Sequence, residues 1–316
     1  MINSPLVSIG LPAYNREKLI GRAIESALGQ DYKNIELIIS DNASTDGTEA
    51  ICRAYAARDA RLRYFRQPVN RGGTANFNTV FNEARGEYFL WLGDDDWFDL
   101  NYVSSCVRWL EEHSHYVLAY GCAHYYQGEA FDYQRPGFSL EQEKGTSRVR
   151  AYYQLVDDNA MFYGVMRHAN LANAMPLRNV VGGDWLLMAV LAYQGKVQVL
   201  DETRIHRTLG GASSSYRNIL KTLGQPAFYA PIFMLVLGLE AHRDLMRSPA
   251  YAPLSWAGRF TLSLRCQPWF VRQHLRALKG RSGEAVFALS KSSLTRPLYE
   301  VLRQSFRLLR RFVKRS

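Results

Sequence analysis

The stretch Glu87-Tyr-Phe-Leu-Trp-Leu-Gly-Asp-Asp-Asp96 limits the possible folds of this chain more than any other. An apolar run with the length of a buried strand stops in three adjacent carboxylates. Side by side, such charges repel unless a cation neutralises them. Open α/β sheets place their ligands at the carboxyl ends of their strands. A divalent ion, with the phosphates it would grip, is the first expectation; a solvated acidic turn is the plain alternative.

The pattern around that stretch alternates. Leu6–Leu11, Ile35–Ser40, Leu62–Phe65, Tyr88–Leu92 and Val117–Ala123 read as strands. Glu17–Leu28, Thr48–Ala57, Gly73–Ala84 and Tyr102–Leu110 carry helical spacing, as in Leu19, Ile20, Ala23, Ile24 and Ala27. A β-α-β-α order predicts an α/β fold, a mostly parallel sheet with helices on both faces. Residues 126–147 read as a surface excursion, 148–175 and 182–195 as helices, and Val197–Leu200 as a further strand. Past Gly210-Gly211 the pattern turns into basic helices broken by prolines, so the expected division is 1–215, with halves at about 1–125 and 126–215, followed by 216–316.

Charge follows the same division. Residues 240–316 hold 16 Lys/Arg against 4 Asp/Glu, a net of +12, while the remainder of the chain nets −2 within the total of +10. The first three quarters have the balance of an ordinary enzyme, and the basic end suits anionic lipid or another polyanion. Cys52, Cys106, Cys122 and Cys266 are scattered without C-x-x-C spacing, which points away from zinc and disulfides and towards a reducing compartment. No basic-then-apolar leader precedes the first strand, and no apolar stretch reaches the roughly 20 residues of a membrane span. The expectation is a cytoplasmic protein, peripheral at the inner face of the membrane.

Four loops follow four strands, each rich in polar groups. Pro12-Ala13-Tyr14-Asn15 offers a ring for a nucleobase and, in Asn15, an N-cap for the next helix. Ser40-Asp41-Asn-Ala-Ser-Thr-Asp46 places Asp41 at a strand end, able to accept from a base N–H, with Asp46 or Ser44 capping. Asn70-Arg71-Gly-Gly opens a helix whose backbone donors suit an anion. Asp94-Asp95-Asp96 completes the row.

Taken together, Val7-Ser-Ile-Gly-Leu-Pro-Ala-Tyr-Asn15, Ser40-Asp-Asn-Ala-Ser-Thr-Asp-Gly-Thr48, Asn70-Arg-Gly-Gly and Trp91-Leu-Gly-Asp-Asp-Asp96 resemble the ordered signature of the family 2 glycosyltransferases, inverting enzymes of the GT-A (Rossmann-like) fold. The resemblance is strong over about 5–125, looser over 150–215, and does not extend to 220–316. It implies that Pro12 and Tyr14 line a base pocket, with Ala13, Asn15, Asn70 and Arg71 in the same nucleotide-binding row. It implies that Asp41 binds the base edge of a UDP- or dTDP-type donor, that Asp94 or Asp95 lies near the ribose, and that Asp96 ligates Mg²⁺ or Mn²⁺. Gly93 stands where the commoner Asp-x-Asp-Asp has its first acid, which leaves open the division of roles among the three aspartates. The resemblance further implies a catalytic base at Asp184 in Gly182-Gly183-Asp184-Trp185, where Asp184 is also a candidate helix N-cap. Inverting transfer needs one carboxylate to take the acceptor hydroxyl's proton. His206 would ligate the metal or touch the diphosphate, against the alternative of a packed core histidine. Arg207 would clamp phosphate, and Arg167 would contact the acceptor.

From Leu298 to Arg315 apolar residues recur at helical spacing among arginines and lysines, a basic amphipathic pattern suited to a membrane interface or to packing on its own domain. The expected partners are a nucleotide-sugar donor, a glycan or lipid-linked acceptor, and an anionic membrane surface; no nucleic-acid motif is present. Polysaccharide synthesis at the cell surface is the expected role. A non-catalytic nucleotide- or glycan-binding protein is the alternative. A nucleotidyltransferase is less well supported, because Pro12-Ala-Tyr-Asn15 is not a Gly-rich phosphate loop.

Overall fold

The structure, a computed structural model, describes residues 4–210 and 215–279. In chain order the elements are β1 (Val7–Ala13), α1 (Ile20–Leu28), β2 (Ile35–Asp41), α2 (Thr48–Ala56), β3 (Leu62–Arg66), α3 (Gly73–Asn82), β4 (Tyr88–Trp91), β5 (Trp97–Phe98), α4 (Tyr102–Glu112), β6 (Tyr116–Gln127), β7 (Ala130–Arg135), α5 (Gly145–Leu155), β8 (Val165–Arg167), α6 (His168–Ala172), α7 (Gly183–Gln194), β9 (Lys196–Thr208), α8 (Tyr216–Thr222), α9 (Phe233–Arg247) and α10 (Trp256–Lys279). The basic amphipathic pattern of 298–315 lies outside the described residues.

Among the described residues all nine strands join one sheet in the order β3-β2-β1-β4-β8-β6-β9-β5, with β7 hydrogen-bonded to β6. The first four are parallel neighbours. β1 and β2 are buried along their whole length, as strands covered on both faces must be. Chain order reverses between β1 and β4. Right-handed crossovers therefore set α1 and α2 on one face and α3 on the other, and open a crevice at the strand ends beside β1. On α1 the buried residues are Ile20, Ala23, Ile24 and Ala27, one helical stripe, in which each isoleucine contributes roughly 2 kcal/mol of burial.

The other half of the sheet is mixed. β8 runs antiparallel to both β4 and β6, β9 parallel to β6, and β5 antiparallel to β9. The expected helix over 148–175 is thus α5, a 3₁₀ turn at Ala160–Tyr163, β8 and α6; the expected excursion 126–147 contains the exposed strand β7. β9 is longer than the expected Val197–Leu200 because pairing resumes after a bulge, Gly121 opposite Leu200 and Cys122 opposite Arg204. The bulge presses on β6: a Cβ at Gly121 would lie 2.4 Å from the Thr203 carbonyl oxygen. That irregularity sends the last residues of β9, Arg207 and Thr208, towards the aspartate run.

The helices after residue 216 continue the same core. Phe270 packs on Tyr153 at 5.0 Å between ring centroids, Trp269 on Trp185 at 5.8 Å, and Tyr251 on Tyr193 at 5.0 Å. Arg178 reaches Asp244 of α9 at 2.9 Å. Among the described residues no helix is long and apolar enough to cross a membrane.

Candidate active site

The four polar loops meet at the carboxyl edge of the parallel strands, and hydrogen bonds tie each to another. Asn15, with φ of 52°, donates its N–H to Ser44 Oγ at 2.9 Å and accepts at its side chain from the Thr45 N–H at 2.8 Å. It locks loop one to loop two instead of capping α1, which begins five residues later. The N-cap of α2 is Gly47, and Asp46, just before it, accepts from the Thr48 N–H at Oδ1, 3.0 Å away. The Asn42 side chain joins the third loop, donating to Asn70 Oδ1 and accepting from the Arg71 N–H, each at 2.9 Å. Asn76 at the start of α3 donates to the Ser40 and Ala13 carbonyls. Loop four is gripped by loop one: Asp94 accepts from Tyr14 N–H at 3.1 Å and from Arg16 Nε at 3.0 Å.

Within this frame the residues picked out by the sequence occupy different depths. Tyr14 is 41% exposed, a ring free for stacking. Pro12 and Ala13 are buried at the end of β1. Asp41 lies beneath the surface, fully buried, its oxygens accepting from Ser44 N–H at 2.8 Å and Tyr64 hydroxyl at 2.8 Å. Both of its oxygens are thus engaged, one by loop two and one by the Tyr64 hydroxyl.

The aspartates sit in a field of arginines. Burial, reinforced by the neighbouring Asp95, pushes the Asp94 carboxyl up to about 7 against the pull of Arg16 and the Tyr14 N–H. Asp96, buried, is pushed up to about 6 by the loss of solvent and by Asp95, against Arg207 and the Thr208 N–H. Thr208 N–H donates to Asp96 Oδ1 at 2.9 Å, and Arg207 Nε lies 3.5 Å from Asp96 Oδ2. A Cβ placed on Gly93 would meet Asp96 Oδ2 at 2.8 Å and Asp95 Oδ1 at 3.3 Å. Both carboxylates therefore flank the space left by the missing side chain. Two hard oxygens at one place suit Mg²⁺ or Mn²⁺, which fill their remaining positions with water and substrate phosphate. Among the described residues no third acid, histidine or cysteine converges with them.

His206 corrects one expectation. Its Nε2 lies 2.7 Å from Asp99 and its Nδ1 3.0 Å from the Tyr126 hydroxyl, so neither ring nitrogen is left for a metal. Its ring stacks on Trp97 at 5.0 Å, and the Arg22 guanidinium lies 3.6 Å from the centre of the Trp97 ring. Arg22 in turn donates to the Asp95 carbonyl at 3.2 Å. The histidine braces the aspartate turn from behind. Arg167 corrects another. It pairs with Tyr88 at the start of β4, the far end from the aspartates, and binds the Tyr116 carbonyl and Tyr88 hydroxyl, each at 2.9 Å, and the Leu110 carbonyl. It stitches strands together at the end of β4 away from the aspartates.

Arg207 stands at the centre of the site. Its Nη1 donates to the Tyr125 hydroxyl at 3.1 Å and its Nη2 to that of Tyr163 at 3.4 Å. Nη1 also lies 3.6 Å from Asp158. Burial alone would lower its pKa, but Tyr163, Asp96, Asp158 and Asp95 together raise it, so the cation persists. Next to Asp158, Asn159 donates from Nδ2 to Asp184 Oδ2 at 2.9 Å. Asp184 lies one residue inside α7, whose N-cap is Gly182 at φ 69°. Burial raises the Asp184 carboxyl above the usual range, against Asn159, backbone N–H groups and the charge of Arg207. Asp184 and Asp96 thus answer to one arginine. Sequence reasoning missed Arg16, Asp158, Asn159 and Tyr163; the only signal was the polar Asp157-Asp158-Asn159 ahead of an apolar run.

Residues 8–172 match a family model described as Glycosyl transferase family 2. WcaA of Escherichia coli (strain K12), whose name provisionally assigns it to colanic acid biosynthesis as a glycosyl transferase, is 30% identical over 205 residues, 65% of this chain and 73% of its own. The GalNAc(5)-diNAcBac-PP-undecaprenol beta-1,3-glucosyltransferase of Campylobacter jejuni is 26% identical over 221 residues, 67% of this chain and 70% of its own. The crystal structure of S. aureus TarS 1-349 in complex with UDP-GlcNAc superposes with a TM-score of 0.63 at 20% identity, covering 92% of this chain and 77% of that one, a likeness of fold. With its four loops inside the matched region and its sheet in the GT-A arrangement, the chain belongs to glycosyl transferase family 2.

Proposed function

We propose that the chain is an inverting, metal-dependent glycosyltransferase. It would move a sugar from a UDP- or dTDP-type donor to a glycan or lipid-linked acceptor, in the synthesis of a cell-surface polysaccharide. One observation carries this reading: Asp184 and the aspartate run, both within the field of Arg207, are the two acidic groups that such a transfer needs. Tyr14 stacks on the base, while Asn70, Arg71 and the first turn of α3 line the nucleotide's side of the crevice. Asp94 stays with Arg16 near the ribose. Asp96, with Asp95 beside it, would hold Mg²⁺ or Mn²⁺, whose charge would offset that of the leaving diphosphate. Arg207 adds a fixed positive charge on that side.

Asp184 acts on the acceptor. Its carboxylate, oriented by Asn159, takes the proton of the attacking hydroxyl as the new bond to the anomeric carbon forms and the bond to the diphosphate oxygen breaks. The relatives named for colanic acid and for a polyprenol-linked glycan are consistent with such an acceptor. A lipid-carried acceptor would bring the protein to the inner face of the membrane.

The test is a panel of nucleotide-sugars scored by thermal protection, because a ligand stabilises the fold that binds it. Protection by a uridine or thymidine diphosphate sugar that needs Mg²⁺ or Mn²⁺ and vanishes with EDTA is the expected result. Absence of protection across the panel with either ion would overturn the donor assignment. Protection without hydrolysis or transfer to any acceptor would favour a binding protein.

A further inference from the structure

Helix α10 has two characters. Leu262, Ser263, Cys266, Trp269, Phe270 and His274 are buried on one side. On the outward side Trp256, Phe260, Leu264 and Leu275 are 69, 37, 55 and 36% exposed, and the first two rings stack on one another at 5.3 Å. At about 100° per residue, Phe260, Leu264 and Leu275 fall within roughly 60° of the helix circumference. Arg265, Arg272 and Arg276, all exposed, form a second row within roughly 40°, beside the apolar one. Among the described residues none of these three arginines is in an ion pair, and the whole helix carries five Lys/Arg and no Asp or Glu.

A soluble surface gains nothing from a ridge of tryptophan, phenylalanine and leucine, and such contiguous apolar patches mark contact sites. The neighbouring charge selects the contact. A row of arginines with no ion pair among the described residues, beside an apolar ridge capped by an indole, is the pattern of a helix lying in the plane of a membrane interface, its cations at the headgroups and its rings at the acyl boundary. We infer that this face of α10 docks on an anionic lipid surface, so that the protein is bound to the membrane through a helix of its folded core and not solely through its basic end. The inference does not depend on the donor or acceptor proposed above, because partitioning to vesicles requires no turnover.

The full chain carries the test. Leu264→Cys, labelled with an environment-sensitive thiol dye, reports on the ridge, and Arg108→Cys on α4 serves as control; of the native cysteines, Cys52, Cys106 and Cys266 are buried and Cys122 is half-buried. Vesicles of phosphatidylglycerol with phosphatidylcholine should shift the emission of the dye at 264 to the blue and leave that at 108 unmoved. Vesicles of phosphatidylcholine alone should shift neither. Exchanging Arg265, Arg272 and Arg276 together for Gln should weaken the partitioning roughly tenfold or more. An emission already blue without lipid and unmoved by vesicles would overturn the inference, since the ridge would then be covered by the chain itself or by a second copy. Vesicle binding with no shift at 264 would overturn it equally, by placing the contact elsewhere.

Discussion

The Nε of Arg207 stands 3.5 Å from Asp96 Oδ2, buried and without a hydrogen-bond acceptor among the described residues. Its two Nη groups are meanwhile engaged by Tyr125 and Tyr163. The arginine is thus held by its tip, with its inner N–H directed towards a carboxylate it does not quite reach. A charge in that position favours the ionised forms of two buried acids, Asp96 and Asp158, against the burial that raises both. Removing it should cost far more than a surface ion pair would. Arg207→Met is expected to lose about 3 to 5 kcal/mol in urea unfolding at neutral pH. Arg207→Lys, which keeps the charge and loses the fork, should lose clearly less. Equal losses would show that the shape of the side chain matters and its charge does not.

Asp184 is the candidate base, and its environment fits that task in one respect. Burial raises its carboxyl while Asn159 fixes one oxygen and holds the group in place. Asp184→Asn keeps the volume and removes the proton acceptor. Turnover should fall by about 10² to 10⁴ while the affinity for the nucleotide-sugar, read by calorimetry, stays within error. Unchanged turnover would remove Asp184 from the chemistry.

The parallel half of the fold was legible in the sequence because each of its elements is locally determined. Ile35–Asp41 is apolar enough to be buried on both faces, and Ile20 to Ala27 repeats with the period of a helix. Apart from β5, which was not expected, the boundaries of β1 to α4 fall within about three residues of the expected ones. β8 was illegible. It has three residues, and Tyr152, Val156, Ala160 and Tyr163 ahead of it imitate helical spacing across what is a helix end and a 3₁₀ turn. The end of β9 was hidden by a polar bulge that owes its place to Gly121, far away in the chain. In the site, the loops announced themselves by composition, but depth did not. Nothing in the order of residues says that the Tyr64 hydroxyl binds Asp41, that Asp99 and Tyr126 occupy His206, or that Arg167 belongs to the opposite end of β4. Those facts are set by pairing register between strands distant in sequence.

Gly93 is where this chain departs from the commoner acidic run, and the structure supplies a reason. Its backbone is not in the left-handed region, so alanine is compatible with the local conformation. The added Cβ would however lie 2.8 Å from Asp96 Oδ2, and Asp96 is fixed by the Thr208 N–H and faced by Arg207. The carboxylate must rotate. Gly93→Ala should therefore raise the Mg²⁺ or Mn²⁺ concentration needed for half-maximal activity by about tenfold, the scale on which supporting contacts tune metal affinity. The melting temperature should stay near that of the parent. A metal response unchanged by the substitution would show that Asp96 is not a ligand.

Asp244 on α9 offers a test of electrostatics well away from the chemistry. It is buried, pairs through Oδ1 with Arg178 at 2.9 Å, and leaves Oδ2 without a partner. Burial pushes its carboxyl up to about 6, more than Arg178 pulls it down. The folded chain consequently binds this proton more tightly than the unfolded chain does. The stability this gives is complete below the ordinary carboxylate range near pH 4 and is lost as pH rises through 6, by at most about 3 kcal/mol. Asp244→Asn, nearly the same shape as the protonated acid, has no such loss. The melting temperature of the variant minus that of the parent should lie near zero at pH 4.5 and rise towards pH 7.5, measured by calorimetry in matched buffers. A difference that stays flat, or that falls with pH, would mean that Arg178 holds Asp244 ionised throughout and that the buried ion pair is favourable in its own right.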